Sequence, residues 1–205
     1  MQGGKMKVRL IDHMGSDLSV VNAARVSFAK EHKEFDDVGD TKLINYLAKH
    51  NHWSPFGHGS LQFAISAPVF VARQLVKHQV GLVWNEVSRR YVDDEPEFYT
   101  PTEWRKSAEN KKQGSSDDEI DINPDGRLVD EYETVLRSAK WAYEYLLSRG
   151  VCPEQARMVL PQSMMTEWYW SGTLYAFARV CNLRCKPDAQ KETQDVGWGI
   201  DEHAK

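Results

Sequence analysis

RQLVKHQVGLVWNEVSRRY, residues 73–91, sets Arg73, Lys77, Arg89 and Arg90 around His78, two glutamines, Asn85 and a single carboxylate, Glu86. Its first half continues an amphipathic helix. Val69, Val71, Ala72, Leu75 and Val76 are apolar, and the pairs Arg73–Lys77 and Gln74–His78 have the spacing that places side chains one turn apart on one face. Gly81 then breaks the helical pattern by its backbone freedom. Beyond it comes a second polar cluster, Asn85, Glu86, Ser88, Arg89 and Arg90. Donors gathered around one carboxylate suit a planar, anionic, polar ligand, because arginine grips phosphate with two parallel hydrogen bonds while amides read ring edges. A solvated charged turn would use the same residues. Trp84, Val87 and Tyr91, threaded between the charges, argue against a segment that is simply exposed.

Working outward, Leu61, Phe63, Ile65 and Ala67 alternate with Gln62, Ala64 and Ser66, the pattern of a half-buried strand. Pro68 ends it and can open the helix that follows. Upstream, Val8 to Ile11 reads as a short first strand. Ser16-Asp17 opens a helix carrying Leu18, Val20, Val21 and Ala24. Asp40 and Thr41 are placed to cap a helix carrying Leu43, Ile44 and Leu47, which ends near His50. Ser54-Pro55 and Gly57 impose a turn.

Downstream, Phe98-Tyr99 is a short extended piece and Pro101 to Trp104 a turn. Ser107 to Gly126 is polar, charged and rich in turn formers, as a mobile surface loop or lid would be. Leu128, Val135, Leu136, Ala139, Ala142, Tyr143 and Leu146 mark a long helix that Gly150 closes. Pro153 opens another helix, stopped by Pro161. Met164 to Ser171 is an aromatic strand, and Thr173 to Asn182 a further helix. Only a short extension is expected after Gln190.

The chain has 205 residues, which fits one domain, 1–205, with a real hydrophobic core. No apolar run approaches a membrane span, and MQGGKMKVRL lacks the apolar core of a signal peptide. Cys152, Cys181 and Cys185 have no zinc spacing, and three thiols in this pattern suit a reducing cytoplasm. His50, His52, His58 and His78 invite a metal reading, but their spacing fits no ligand motif, so no metal is expected. The aromatic run near Met164 could stack bases. A net charge of -4 gives no global pull toward nucleic acid, so packing is the preferred role and any phosphate site must come from a local cluster.

The 73–91 segment resembles the signature of the flavin-dependent thymidylate synthases. Asn85-Glu86-Val87-Ser88-Arg89-Arg90-Tyr91 matches the second half of that signature throughout. In the first half Lys77-His78-Gln79 stands where the family has Arg-His-Arg, and the spacer to Ser88 is one residue longer. Four further stretches resemble family blocks in the same order: Asn22 to Ser27; His52 to His58, with Gly57 in place of an acidic residue; Ala156 to Pro161; and Asn182-Leu183-Arg184 with Ala189-Gln190. Around α-helical positions Thr173, Tyr175 and Arg179 the family often has Asn, Arg and Asn.

The resemblance implies an α+β fold, a twisted and mainly antiparallel sheet flanked by helices. It implies reductive methylation of dUMP to dTMP, with FAD as bound cofactor and NADPH and methylenetetrahydrofolate as co-substrates. It assigns Arg184 as the catalytic cation beside the pyrimidine, a role arginine suits because it stays charged when desolvated. Gln74, Lys77, Glu86, Val87, Ser88, Arg89, Arg90 and Arg157 join Arg184 at the nucleotide, with Arg90 and Arg157 on the phosphate. Ser27, His52, Ser54, Lys77, His78, Gln79, Glu86, Thr173, Tyr175 and Arg179 fall to the flavin. The implied assembly is a homotetramer with sites between subunits. Two other readings share these residues: a related C5 methylase or hydroxymethylase acting on UMP or dUMP, and a catalytically silent binder of flavin or nucleotide.

Overall fold

The computed structural model describes residues 3–108, 115–116, 118–121 and 127–204. Four strands, β1 (Lys7–Met14), β2 (Ser60–Pro68), β3 (Leu82–Glu86) and β4 (Met165–Thr173), form one antiparallel sheet in the order β1-β2-β4-β3. Its helices are α1 (Asp17–Arg25), α2 (Gly39–Lys49), α3 (Val69–Leu75), α4 (Arg127–Ser148), α5 (Pro153–Ala156), α6 (Leu174–Arg184) and α7 (Lys191–His203). This is the expected α+β arrangement. None of the described helices is long and apolar enough to cross a membrane.

The alternation read in β2 sets the core. Phe63, Ile65 and Ala67 face the same way as their register partners Trp170, Trp168 and Thr166 on β4. Onto this face pack Val71, Ala72 and Leu75 of α3, Phe177 and Val180 of α6, and Val196 and Ile200 of α7, all buried. Phe177 meets Phe63 and Trp170 nearly edge-on, with centroids 5.0 and 5.4 Å apart. Each large side chain removed from water here stabilises the fold by about 1.5–3 kcal/mol.

Three elements differ from the sequence reading. The polar stretch after Gly81 opens with an edge strand, β3, in which Leu82 and Trp84 turn inward and Val83 and Asn85 outward. The C-terminal extension is a helix of 13 residues, α7, that completes the core. Asp40 does not cap α2. It lies within the helix, fully buried, and its carboxylate takes Arg25 Nη2, His32 Nδ1 and the Asp36 amide at 2.9, 2.9 and 3.0 Å. Burial pushes the Asp40 pKa up, but the Asp36 amide, His32 and Arg25 outweigh it and hold it at about 2.

The mobility expected for Ser107 to Gly126 falls largely on 109–114, 117 and 122–126, outside the described residues. The described part folds back on the preceding segment. The backbones of Arg105 and Glu119 pair in an isolated antiparallel β-bridge, and backbone bonds join Lys106 to Asp118 and Ser116, and Ile120 to Trp104.

Candidate active site

The signature segment is divided between two places. The first is the junction of α3 with α6. After α3 the His78 amide bonds to the Leu75 carbonyl at 2.9 Å. Gly81 then reverses the chain at a φ of +77°, in the left-handed region that favours glycine. A Cβ at Gly81 would lie 3.2 Å from Ala176 Cβ, so the turn sits directly on the start of α6. This brings His78 to the far end of α6, where Arg184 Nε donates to His78 Nε2 at 2.9 Å. Trp170 stands beside the imidazole, ring centroids 6.4 Å apart. Burial, then the charges of Arg184 and Arg179, push the His78 pKa down; burial pushes that of Arg184 down as well.

Other predicted flavin residues lie on α6 and at its start, beside His78, in the segment before β2 and after α1. Tyr175 lies on α6 with its ring 5.7 Å from that of Trp53, which is flanked by His52 and Ser54. His52 packs edge-on against Tyr46, centroids 5.9 Å apart. Arg179 follows Tyr175 by one helical turn and is exposed. Lys77 and Gln79 are exposed on either side of His78. Thr173 caps α6, its Oγ1 accepting from the Ala176 amide at 3.2 Å. Ser27 is exposed in the turn that follows α1. Gln74 faces α7, and its Oε1 accepts from Thr193 Oγ1.

The second place is the end of β3 and the turn beyond it. Both oxygens of Glu86 are held. Thr166 Oγ1 donates to Oε1 at 2.9 Å and Trp84 Nε1 to Oε2 at 3.2 Å. Trp84 is stacked on Trp168, centroids 4.4 Å apart and planes 17° from parallel. Ser88 Oγ accepts from Arg90 Nε at 3.0 Å, and the Arg90 guanidinium lies 5.0 Å from the Tyr91 ring. Arg89 donates to the Asp94 carbonyl and lies 6.0 Å from the Tyr143 ring of α4. Arg157 is exposed on the turn after α5, its Nε bonded to the Glu154 carbonyl at 3.2 Å.

Trp84 is half-buried, as its place among the charges suggested, but Val87 and Tyr91 are exposed on the single chain, Tyr91 by 79%. The turn after β3 carries them off the sheet edge. Clefts of about 450 and 790 Å3 occur elsewhere, the first between β1 and the start of α1, the second between the N-terminal segment, Tyr99 to Thr102 and α7; no predicted site residue lines either. Trp53, Trp84, Thr166 and Thr193 were not foreseen as contributors. For Thr166 the signal was its two-residue spacing from Trp168 in the aromatic strand; Trp84 and Glu86 share one side of β3 only once β4 pairs with it.

A model of the thymidylate synthase complementing protein family matches residues 9–205. A flavin-dependent thymidylate synthase of Thermus thermophilus is 40% identical over 203 residues, covering 97% of this chain and 71% of the relative. One of Kosmotoga olearia is 42% identical over 195 residues, covering 94% and 82%. The chain belongs to the flavin-dependent thymidylate synthase family. Among solved structures, a UMP/dUMP methylase, PolB of Streptomyces cacaoi, bound with 5-bromo-dUMP, has a TM-score of 0.86 at 31% identity, covering 98% of this chain and 90% of that one. The same protein bound with 5-bromo-UMP gives 0.80 at 28%, covering 97% and 88%. The Tyr175 and Trp53 rings offer a surface for a flat ligand, and Arg179, one turn along α6 from Tyr175, presents an exposed cation.

Proposed function

We propose that this chain methylates C5 of dUMP, taking the carbon from methylenetetrahydrofolate and the reducing equivalents from NADPH through bound FAD. The observation that carries the reading is the 2.9 Å contact of Arg184 with His78, residues 106 apart in the chain. It unites the Asn-Leu-Arg stretch and the signature segment in one place. In the overall change the C5 hydrogen leaves the ring and a methyl group takes its position.

His52, Ser54, His78, Gln79, Tyr175 and Arg179 would hold FAD, which would supply the hydride chemistry. The chain's own residues bind and polarise. Arg184 faces the pyrimidine and stabilises negative charge as the ring ionises, which makes C5 a better nucleophile. Glu86, fixed by Thr166 and Trp84, and Ser88 orient the ring and sugar. Arg90 and Arg157 hold the phosphate. Ser88 is not the nucleophile in this reading: among the described residues no base adjoins it, and its oxygen accepts from Arg90.

We also infer that the site is completed by other copies of the chain, in a homotetramer. The predicted site residues are interleaved with exposed apolar side chains. Val26 and Phe28 flank Ser27, Trp53 separates His52 from Ser54, Val80 follows Gln79, Val87 and Tyr91 bracket Ser88 to Arg90, and Met158 follows Arg157. Exposed apolar side chains beside so many of the site residues support an interface there. Cys152, Cys181 and Cys185, none of them in a disulfide, suit the cytoplasm.

A second reading is action on UMP, or a hydroxymethyl product. It is favoured by the likeness to a UMP/dUMP methylase and by Lys77 and Gln79, which replace two planar guanidinium forks with one point charge and one neutral amide. The test is release of tritium from dUMP and UMP labelled at C5, with FAD, NADPH and methylenetetrahydrofolate present. Release from dUMP that requires all three supports methylation. No release from either nucleotide, with FAD shown to be bound, contradicts it.

A further inference from the structure

Resting on that reading of Arg184, we propose that His78 is a positioning residue for it. As a neutral imidazole with an unprotonated Nε2, His78 accepts the Arg184 Nε hydrogen and so fixes the plane of the guanidinium. Arginine has five N–H donors in a rigid fork. The 2.9 Å bond uses the one on Nε. The four on the two Nη atoms meet no partner among the described residues and can face a developing negative charge, and the fork no longer turns about its long side chain. The bond also fixes the imidazole tautomer. With Nε2 accepting, the proton of the neutral ring resides on Nδ1.

His78 is itself held firmly enough to serve as a post. Its amide is tied to the Leu75 carbonyl at 2.9 Å, the core residue Trp170 lies beside its ring, and the positive φ of Gly81 turns the chain onto α6 just beyond it. Among the described residues the charges that act on it are cationic, Arg184 and Arg179 from α6, and Lys77 stands next to it in sequence. The facing residue of β4, Trp170, does not titrate. A protonated His78 would set an N–H against the Arg184 Nε–H and add a second positive charge, so the contact exists only while the imidazole is neutral. Its lowered pKa keeps it neutral at every pH above the ordinary histidine value of 6.5. Arg184 is then held in place at neutral pH and released in acid.

The experiment compares His78→Gln, whose amide oxygen can accept from Arg184, with His78→Leu, which cannot. On the FAD-loaded enzyme, His78→Leu should lose about 100-fold in kcat, the scale of a misplaced oxyanion donor. His78→Gln should regain at least about tenfold of the kcat that His78→Leu loses, and should lack the acid limb of the pH profile, because an amide does not titrate. Nitrogen-15 shifts of the His78 ring in the full chain give a readout independent of turnover: Nδ1 protonated, Nε2 bare, and altered in Arg184→Gln. The proposal is overturned if Nε2 carries the proton at neutral pH, if His78→Gln is as impaired as His78→Leu, or if its acid limb survives. Should the parent turn over neither nucleotide, the methylase reading fails, and the ring shifts still decide the His78–Arg184 contact.

Discussion

Thr166 Oγ1 donates to Glu86 Oε1 at 2.9 Å, from β4 to the end of β3. Thr166 stands two residues along β4 from Trp168, the register partner of Glu86. The diagonal across two antiparallel strands therefore brings a nearly buried hydroxyl to a carboxylate that would otherwise swing at the sheet edge. The bond makes a specific demand. Thr166→Val keeps the shape and removes the donor. Because a hydrogen bond to a charged group contributes about 1.5–3 kcal/mol, dUMP affinity should fall by about tenfold or more while the fold persists. Titration calorimetry checks this; unchanged affinity would show that Glu86 does not need Thr166.

Arg105 and Glu192 form an ion pair at 2.6 Å, with the Glu192 side chain only 6% exposed. The same carboxylate accepts from Gln190 Nε2 at 3.2 Å. Arg105→Ala would leave that charge buried with only the amide for company, at a cost of about 3–5 kcal/mol. The denaturant midpoint should drop accordingly. Arg105→Met with Glu192→Gln should recover much of the loss, since neither charge then remains. A single variant as stable as the parent would mean that the pair contributes nothing.

Gly172 is the glycine on β4 against which β3 closes. An added Cβ would sit 2.3 Å from the Gly81 carbonyl oxygen and 2.6 Å from Leu82 Cδ2. Gly172→Ala must push β3 away from β4, with overpacking that costs about 1–3 kcal/mol. Because β3 carries Glu86, nucleotide binding should weaken along with stability. Hydrogen exchange at the Leu82 to Glu86 amides reports the strand directly, and protection equal to that of the parent would contradict the prediction.

Asp40 gives the acid behaviour a sign. Its folded pKa of about 2 lies below the ordinary 3.8. Its contribution is therefore fully present above pH 3.8 and is lost as pH falls toward 2. Urea midpoints followed over that window should fall more steeply for the parent than for Asp40→Asn, which is less stable at neutral pH. Parallel curves would show that Asp40 plays no part.

The sheet centre and most helices were legible because their apolar spacing is regular: Leu61 to Ala67 alternates, and α4 and α6 repeat at helical period. The helix α7 was not. Gly197 and Gly199 lower its helix propensity, and they are what lets it approach. A Cβ at Gly199 would lie 2.8 Å from Val8 Cγ2, and one at Gly197 3.2 Å from Arg184 Cβ and Cys185 Sγ. Tertiary contact here outweighs helix propensity. The strand β3 was hidden for another reason. Leu82, Val83 and Trp84 are apolar in succession, so the alternation shows only once β4 supplies a partner. In the site, residue types and motif order were legible, whereas the His78–Arg184 contact joins segments 106 residues apart and needed the fold.

The most direct measurement is the mass of the nucleotide product after incubation with FAD, NADPH, methylenetetrahydrofolate and an equal mixture of dUMP and UMP. A dUMP-derived product heavier by one CH2 is the predicted result. Nucleotides of unchanged mass, with FAD bound and the co-substrates intact, would contradict it.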